Sequence, residues 1–330
     1  MSPHLLPIDQ GLRIQKDEFM SRIGSIQRLE SIPVLLFLLL SAGCGSGTQG
    51  NGVVATTTLA ADLASTLLPP TVPVVSIMGT GVDPHTFEAR SGTIRQLHTA
   101  KLVVHHGLHL EGRLSELLAG LQKRSPDRVC CLADPILAEH QHLLRREGDE
   151  IDPHIWFSPR LWSLTIPEFS RKLAETYPEH AETIFQNARL ARQSLDQLDR
   201  ELRETLSVVP EGSRVLVTSH DAFGYWGMEY GFEVLPIQGI STATEVAESS
   251  LRKLAEIIRG RKIPAGFVES SVSPRTIEKL RQMLGNQVFE LGGELYSDSL
   301  GAPGTAEANY AGMLRHNAAL MAKALGKPRP

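Results

Sequence analysis

The fold is decided by one stretch, residues 178–207, which reads PEHAETIFQNARLARQSLDQLDRELRETLS. It has no glycine or proline after Pro178, and Pro210 and Gly212 follow its end, so we predict one continuous helix. Thirty helical residues would span roughly 45 Å, which is longer than a small domain is wide. Its apolar residues step by three and four along one stripe, namely Ile184, Ala188, Ala191, Leu195, Leu198, Leu202 and Leu206. A surface helix or one arm of a coiled coil shows the same pattern, but strand and helix patterns on both sides favour a spine that joins two lobes.

Length, composition and charge limit the classes to which this protein can belong. The chain has 330 residues, of which 42% are apolar, and this is ample for two packed domains. The net charge is −4 and the isoelectric point is near 6.3. Nucleic-acid binding needs a concentrated basic face, which the sequence does not show, so we exclude that class.

The first 43 residues are predicted to be a signal peptide. The run IPVLLFLLLSAG, residues 32–43, is too short to cross a hydrocarbon core of about 30 Å but typical of a signal-peptide core. The following Cys44 completes a pattern that resembles the lipobox of bacterial lipoproteins. We therefore expect residues 44–52 to be a lipidated, flexible tether that anchors an extracytoplasmic protein to the membrane. Secretion with an unmodified Cys44 is the alternative, and a start at Met20 would give a more basic leader.

Both flanks of the spine show short β-rich runs that alternate with helical stretches. Such alternation is typical of parallel βαβ units with helices on both faces of the sheet. We predict an N-terminal α/β lobe over residues 53–177 and a C-terminal α/β lobe over 208–330. Residues 134–152 are predicted to be a loop, and the last strand is predicted to end at Leu291.

Four residues with metal-binding side chains lie where strands end or in the loops beyond them: His85, His154, His220 and Asp298. Ligands of open parallel sheets bind at this edge. Taken singly, each histidine is more often a loop or capping residue, and an aspartate in a turn usually bonds its own backbone. Together, three imidazoles and one carboxylate suit a divalent ion such as Zn²⁺.

The motifs around these residues occur in a characteristic order. They are GVDPHTFE (81–88), GLHLE (107–111), DPHIWFSP (152–159), TSHDAFGY (218–225), GIST (239–242) and GGELYSDSLG (292–301). From about residue 53 to 325 the chain resembles the substrate-binding proteins of bacterial zinc and manganese ABC transporters, the TroA-like group. The resemblance implies two α/β lobes bridged by one long helix, with the ion in the cleft between them. It also implies that His85, His154, His220 and Asp298 are the metal ligands.

Several further residues depart from the family pattern or lie outside the ligand set. His106 stands where relatives commonly have asparagine. His140 and His142 lie in the predicted loop 134–152 and are interpreted mainly as solvated residues, with weak ion gathering as the alternative. The adjacent Cys130 and Cys131 match no zinc-site spacing and are predicted to be buried thiols.

The sequence therefore predicts a monomeric, membrane-anchored receptor that captures Zn²⁺ or Mn²⁺ with high affinity as cargo and delivers it to an ABC permease. A metallohydrolase that uses the same three histidines and aspartate is the main alternative, and a surface interaction module is a third class. A hydrolase needs an open coordination position and a general base, for which Glu88 and Glu269 are the nearest candidates. Orientation of a ligand, or an ordinary salt bridge, is the simpler role for both.

The spine also predicts how the ion leaves. A continuous helix offers no flexible hinge, so the lobes should shift little as whole bodies. We expect release through local movement of the segment 292–301, whose glycines permit unusual backbone angles.

Overall fold

The computed structural model describes residues 52–285 and 289–326. The predicted signal peptide, Cys44 and nearly all of the tether lie outside these residues. No helix within the described ranges is both long enough and apolar enough to span a membrane.

The N-terminal lobe is built on a four-stranded parallel sheet in the order β2-β1-β3-β4. Val54 at the centre of β1 pairs with Val75 of β2 and with Val103 of β3. β1 and β3 are made of buried residues, as expected for a parallel sheet that is covered on both faces. The strands are β1 (Val53–Ala55), β2 (Val74–Ser76), β3 (Leu102–His105) and β4 (Val129–Cys131), and the helices are α1 (Thr58–Leu67), α2 (Ser91–Thr99), α3 (Ser115–Arg124) and α4 (Asp134–Glu139).

The segment predicted to be a loop, residues 134–152, is largely structured, so that prediction was wrong. It begins with the short helix α4 and continues into an antiparallel hairpin of β5 (Arg146–Glu147) and β6 (Glu150–Ile151). Gly148 makes the turn with a φ of +61°, a conformation that glycine adopts at little cost. The strands are only two residues long, too short for the alternating pattern that identifies a strand in a sequence.

The N-terminal lobe ends with α5 (Pro159–Thr176), which begins one residue after Ser158. The Ser158 hydroxyl accepts a hydrogen bond from the backbone N–H of Leu161, as expected for an N-cap residue. Pro159 occupies the first helical position, where its missing N–H costs nothing. The sequence DPHIWFSP therefore combines a loop that carries His154 with the cap of the helix that follows.

The spine helix is α6 (Ala181–Leu206), about 40 Å long. Residues 178–180, which were predicted to be its first turn, form a separate 3-10 turn instead. All seven residues of the predicted apolar stripe are buried. The helix packs against α1, α5 and α10 (Tyr310–Leu325). One hydrophobic core runs from Val53 in the first lobe through this stripe to Leu216 and Phe267 in the second.

The C-terminal lobe has two pairs of parallel strands, with β7 paired to β8 and β9 paired to β10. β7 and β9 lie side by side between the outer strands. A second hydrophobic cluster fills the space between these strands and the helices α8 (Glu248–Arg261) and α9 (Arg275–Leu284). The strands are β7 (Val215–His220), β8 (Glu233–Gln238), β9 (Ala265–Glu269) and β10 (Glu290–Leu295), and the helices before α10 are α7 (Gly224–Tyr230), α8 (Glu248–Arg261) and α9 (Arg275–Leu284).

The last strand runs four residues further than the sequence predicts. Its pairing with β9 shifts register between Leu291 and Glu294, so Gly292 and Gly293 form a bulge inside β10. Gly293 has a φ of +124°, and a Cβ atom there would lie 2.8 Å from the Leu320 side chain. These glycines serve close packing within the sheet, and the strand ends only three residues before Asp298. The described residues thus confirm a fold of two α/β lobes with parallel sheets and a long helix between them in sequence.

Candidate metal centre

The four residues predicted as ligands meet in space. Their nitrogen and oxygen ligand atoms all lie within 4.8 Å of one another. His85 Nε2 is 3.3 Å from His154 Nε2. Oδ1 of Asp298 is 3.4 Å from His154 Nε2, and Oδ2 of Asp298 is 3.4 Å from His220 Nε2. These spacings leave a point between the four side chains that one ion can share.

Two of the four predicted ligands come from each lobe, and their positions in the fold explain why they meet. His85 lies in the loop between β2 and α2, and His154 lies between β6 and α5. His220 is the last residue of β7, and Asp298 follows the end of β10. Because parallel strands place their carboxyl ends at one edge of a sheet, the two lobes face each other with these residues in the cleft.

The four side chains are almost completely removed from water. His154 and His220 are 0% exposed, Asp298 is 1% exposed and His85 is 3% exposed. Buried polar groups are costly unless they are paired or coordinate a metal. Oδ1 of Asp298 accepts no hydrogen bond from any described residue, so it is available to an ion.

The charges in the site are unevenly distributed. Burial lowers the pKa of His85 to about 3, so this ring is neutral at physiological pH. Burial acts in the same direction on His154 and His220, but the carboxylates beside each ring outweigh it and raise both pKa values. For Asp298, burial favours the neutral acid, yet His220 and His154 hold the pKa of its carboxyl well below the usual range. The metal-free site therefore favours a carboxylate paired with protonated imidazoles.

His154 is oriented by Asp152. The Nδ1–H of His154 donates to Oδ1 of Asp152 over 2.8 Å, and the backbone N–H of His154 donates to the same oxygen over 2.9 Å. This bond directs Nε2 towards the other ligands and fixes the tautomer that a metal ligand requires. The Asp-Pro-His sequence thus supplies a predicted ligand together with the carboxylate that orients it.

His220 also faces a carboxylate, which comes from a different element. Oε2 of Glu269, the last residue of β9, lies 2.6 Å from His220 Nδ1. Oε1 of the same carboxylate accepts the backbone N–H groups of Ser219 and His220. Glu269 is 1% exposed, and both of its oxygens face groups of β7, so it is not open to a substrate as a general base.

Asp298 is held by the turn that contains it and by the loop after β9. The Ser271 hydroxyl donates to Oδ2 of Asp298 over 2.8 Å. The carbonyl of Ser297 accepts the indole N–H of Trp156 over 2.9 Å, which ties this turn to the N-terminal lobe. The backbone N–H of Leu300 donates to the Thr58 hydroxyl, which adds a second tie across the cleft.

His85 is supported by Asp83 and by the GLHLE motif. Oδ1 of Asp83 accepts the backbone N–H of His85, and Oδ2 accepts the Thr242 hydroxyl of the other lobe over 2.5 Å. Gly112 follows the motif and packs so closely that a Cβ atom there would lie 2.0 Å from the His85 carbonyl oxygen. The backbone at Leu108 and His109 has positive φ, so no right-handed helix passes through these two residues, and α3 starts only at Ser115.

His106, the departure from the family pattern, is a structural residue. Its ring is fully buried, stacks on Trp162 and meets the edge of Trp156. Nε2–H donates to the Pro153 carbonyl over 2.6 Å, so this ring supports the loop that carries His154. Burial lowers the pKa of His106 to about 4, which keeps the ring neutral.

The remaining residues considered from the sequence lie outside the ligand group. His140 and His142 belong to a surface turn, and their ring centroids are 6.4 Å apart. Glu88 is 68% exposed and pairs with Arg113, so it is an ordinary surface ion pair. Burial raises the pKa of the Cys130 thiol to about 12, and Cys131 is buried beside it, in agreement with their predicted role as buried thiols.

One cavity beside the site reaches His85. A cavity of about 680 Å³ lies between the β5–β6 hairpin, α3 and the Gly107–His109 turn. His85 lines this cavity, whereas the other three ligands do not. Its wall also carries Asp134, Asp149 and Glu150, which are acidic and exposed. A cation approaching from this side would meet His85 first.

Sequence reasoning missed several residues that surround the predicted ligands and their carboxylate partners. Arg145, Asp221 and Tyr225 surround Asp152 at the lobe boundary, and Ser271 contacts Asp298. Asp221 and Tyr225 lie within the TSHDAFGY motif, so their position in this motif could have identified them as candidates. Arg145 and Ser271 belong to no motif and become visible only in three dimensions.

Fold and site together define a two-lobed binding protein for a divalent metal ion. Over residues 53–324 the chain matches the family model described as "ZnuA: Zinc-uptake complex component A periplasmic". It is 37% identical to the manganese-binding lipoprotein MntA of Bacillus subtilis over 300 residues, which cover 88% of this chain and 97% of the relative. It is also 37% identical over 277 residues to the zinc-binding protein TroA of Treponema pallidum, covering 83% of this chain and 89% of that one.

The solved structure of TroA from Treponema pallidum superposes with a TM-score of 0.79, covering 83% of this chain and 99% of the TroA chain. The chain belongs to the ZnuA family of periplasmic metal-uptake components. This family consists of substrate-binding proteins of ABC transporters and not of enzymes. The predicted transport function is therefore confirmed, and the hydrolase alternative finds no support.

Proposed function

We propose that the chain captures a single Zn²⁺ or Mn²⁺ ion with His85, His154, His220 and Asp298 as its ligands. One observation carries the proposal: four side chains from two lobes place their ligand atoms within 4.8 Å in a water-excluded cleft. Asp152 and Glu269 each fix the tautomer of one histidine by engaging its Nδ1. Metal-ligating histidines in proteins almost always have such a partner.

The donor set favours Zn²⁺ over Mn²⁺ at equal concentration. Imidazole nitrogen binds Zn²⁺ more strongly than Mn²⁺, and the general affinity order of divalent ions points the same way. Relatives at the same identity are named for zinc and for manganese, so availability in the cell can still decide the cargo. Competition at equimolar concentrations, followed by native mass spectrometry, measures the intrinsic preference. Displacement of bound Zn²⁺ by Mn²⁺ would refute it.

The same ion is delivered to an ABC permease by a monomer anchored through lipid on Cys44. One relative is named a manganese-binding lipoprotein and another an ABC transporter substrate-binding lipoprotein, and the lipobox-like sequence supports the same anchor here. The anchored chain is divided into a tether (44–52), a first lobe (53–177), a spine (178–207) and a second lobe (208–330). Cys44→Ala should release the protein from the membrane fraction. A variant that stays membrane-bound with an unchanged precursor mass would contradict the anchor.

Calorimetric titration of Zn²⁺ into single alanine variants tests the ligand set. Loss of a ligand should weaken binding by more than about 100-fold, beyond the effect of losing an orienting partner. His140→Ala and His142→Ala are matched controls, because they remove surface imidazoles and should bind like the wild type. Wild-type affinity in His220→Ala would remove that residue from the site.

A further inference from the structure

Arg145 occupies the joint between the two lobes beside the metal site. Its Nη1 donates to Oδ2 of Asp152 over 2.8 Å, and its Nη2 donates to Oδ2 of Asp221 over 2.6 Å. Asp152 belongs to the first lobe and Asp221 to the second, so one guanidinium bridges carboxylates from both. Arg145 lies immediately before the β5–β6 hairpin, in the segment predicted from sequence to be a loop.

Each of these carboxylates is one step removed from a metal ligand. Asp152 uses its other oxygen, Oδ1, to hold Nδ1 of His154. Asp221 directly follows His220, and its backbone N–H donates to the Gly239 carbonyl. The position of the guanidinium is therefore transmitted to one histidine in each lobe.

Two neighbouring residues of the second lobe pack directly against Arg145. The Tyr225 hydroxyl accepts the backbone N–H of Arg145 and donates to the Asp152 carbonyl, over 3.0 and 2.9 Å. Gly224 packs flat against the guanidinium: a Cβ atom there would lie 2.5 Å from Nη1 and 2.7 Å from Cδ and Cζ of Arg145. The backbone of Gly224 does not have a positive φ, so its lack of a side chain serves this close approach.

We propose that Arg145 is a positioning residue for metal capture, which sets the distance between His154 and His220 by clamping Asp152 to Asp221, and that Gly224 is required for its placement. The inference rests on the proposed ligand set and adds a residue outside it. Arg145 would not touch the ion. It acts through the two carboxylates that lie behind the ligands.

Arginine suits this role better than lysine. A planar guanidinium can donate in two fixed directions at once, whereas an ammonium group is a point charge that cannot hold two separated carboxylates in one geometry. Asp152 is fully buried, so its negative charge requires a paired cation. The Arg145 side chain is 27% exposed, which leaves it room to move if either partner is lost.

The test compares Arg145→Gln, Arg145→Lys and Gly224→Ala in the full folded protein. We expect each to weaken Zn²⁺ binding about 10-fold, within the range seen for residues that orient metal ligands. We also expect the visible absorption of the Co²⁺-loaded protein to shift, because those bands report the ligand geometry. Gly224→Ala is the decisive variant. It keeps Arg145 and its charge, but the added methyl group occupies the space in which the guanidinium packs.

Two matched controls separate positioning from general damage. Arg171→Gln removes an arginine that forms surface ion pairs within α5, and Gly260→Ala adds a methyl group to a helical glycine with open space around it. Both should keep wild-type affinity and an unchanged Co²⁺ spectrum. A lower thermal midpoint with wild-type affinity and spectrum in the Arg145 and Gly224 variants would overturn the proposal. If the wild type itself binds neither ion, the proposed function fails instead.

Discussion

The Nδ1 atom of His220 lies 2.6 Å from Oε2 of Glu269, at the adjacent ends of β7 and β9. The second oxygen of Glu269 is held by two backbone N–H groups of β7, so the carboxylate cannot turn away. This contact fixes which nitrogen of His220 faces the cleft. It also places a negative charge behind the ring, which strengthens the ring as a metal donor.

Glu269→Gln tests this contact. The neutral amide removes the charge behind His220, and we expect Zn²⁺ affinity to fall by about 10- to 100-fold. Competition against a chelator of known affinity measures the change. Glu248→Gln is the control, because Glu248 forms only exposed ion pairs on α8. Unchanged affinity in Glu269→Gln would mean that this carboxylate only stabilises the strand ends.

Zn²⁺ binding should release about two protons near pH 6, because two of the three imidazoles have pKa values raised above about 6.5. His154 and His220 carry these raised pKa values and are protonated in the metal-free protein below them. His85, whose pKa is about 3, has no proton to lose at this pH. Affinity should therefore increase with pH until both raised pKa values are passed. Calorimetry in buffers of different ionisation enthalpy counts the protons, and a count of three or of zero would contradict this account.

His106→Ala should destabilise the protein without removing a ligand. The substitution leaves a cavity between two tryptophans and an unpaired carbonyl at Pro153, and we expect a loss of about 2–4 kcal/mol in the free energy of unfolding. His106→Asn retains a hydrogen-bond donor and should lose less. Chemical denaturation of the metal-free proteins gives both values. Equal losses in the two variants would show that the bond to Pro153 contributes nothing.

The two lobes should shift little when metal binds. They share a hydrophobic core along α6, and the cleft is crossed by the bonds of Ser299 to Gly81 and of Leu300 to Thr58. Spin labels at the exposed residues Glu116 and Lys253 report the distance between the lobes. A change of about 10 Å on metal addition would indicate hinge closure of a whole lobe and would contradict the rigid spine.

Local release through the segment 292–301 stays a prediction, with one change. Gly292 and Gly293 pack inside β10 against Phe267 and Leu320, so they are not available as hinge residues. Only the turn from Tyr296 to Gly301 follows the strand. Increased mobility of a label in this turn without metal, at constant distance between the lobes, is the expected result.

The sequence identified the spine because its apolar stripe is long and periodic, and all seven residues are buried. The strand-and-helix alternation likewise predicted the parallel sheets. The hairpin at 146–151 was missed because two-residue strands carry no period. The positive φ angles of residues 107–109 were not predicted either, because local patterns do not indicate this conformation for Leu108 and His109, which are not glycine.

The four predicted ligands could be proposed from motifs, and some of the residues behind them could also be proposed from the sequence. Asp152 was visible because it lies two positions before His154. Glu269 was a candidate to orient a ligand because it lies at the end of a predicted strand, whereas Ser271, 27 residues from Asp298, was not identified. Contacts over such separations depend on how the strands of the lobe are arranged, which local patterns do not encode.

The central claim is tested most directly by the position of the bound ion. Crystals of the Zn²⁺-loaded protein, measured at the zinc absorption edge, give an anomalous difference map that locates the metal independently of any assumption about ligands. We expect one strong peak between the lobes, about 2.0–2.2 Å from an Nε2 of each of His85, His154 and His220 and from an oxygen of Asp298. A main peak at His140 and His142, or one that omits His220 or Asp298, would contradict the proposed site.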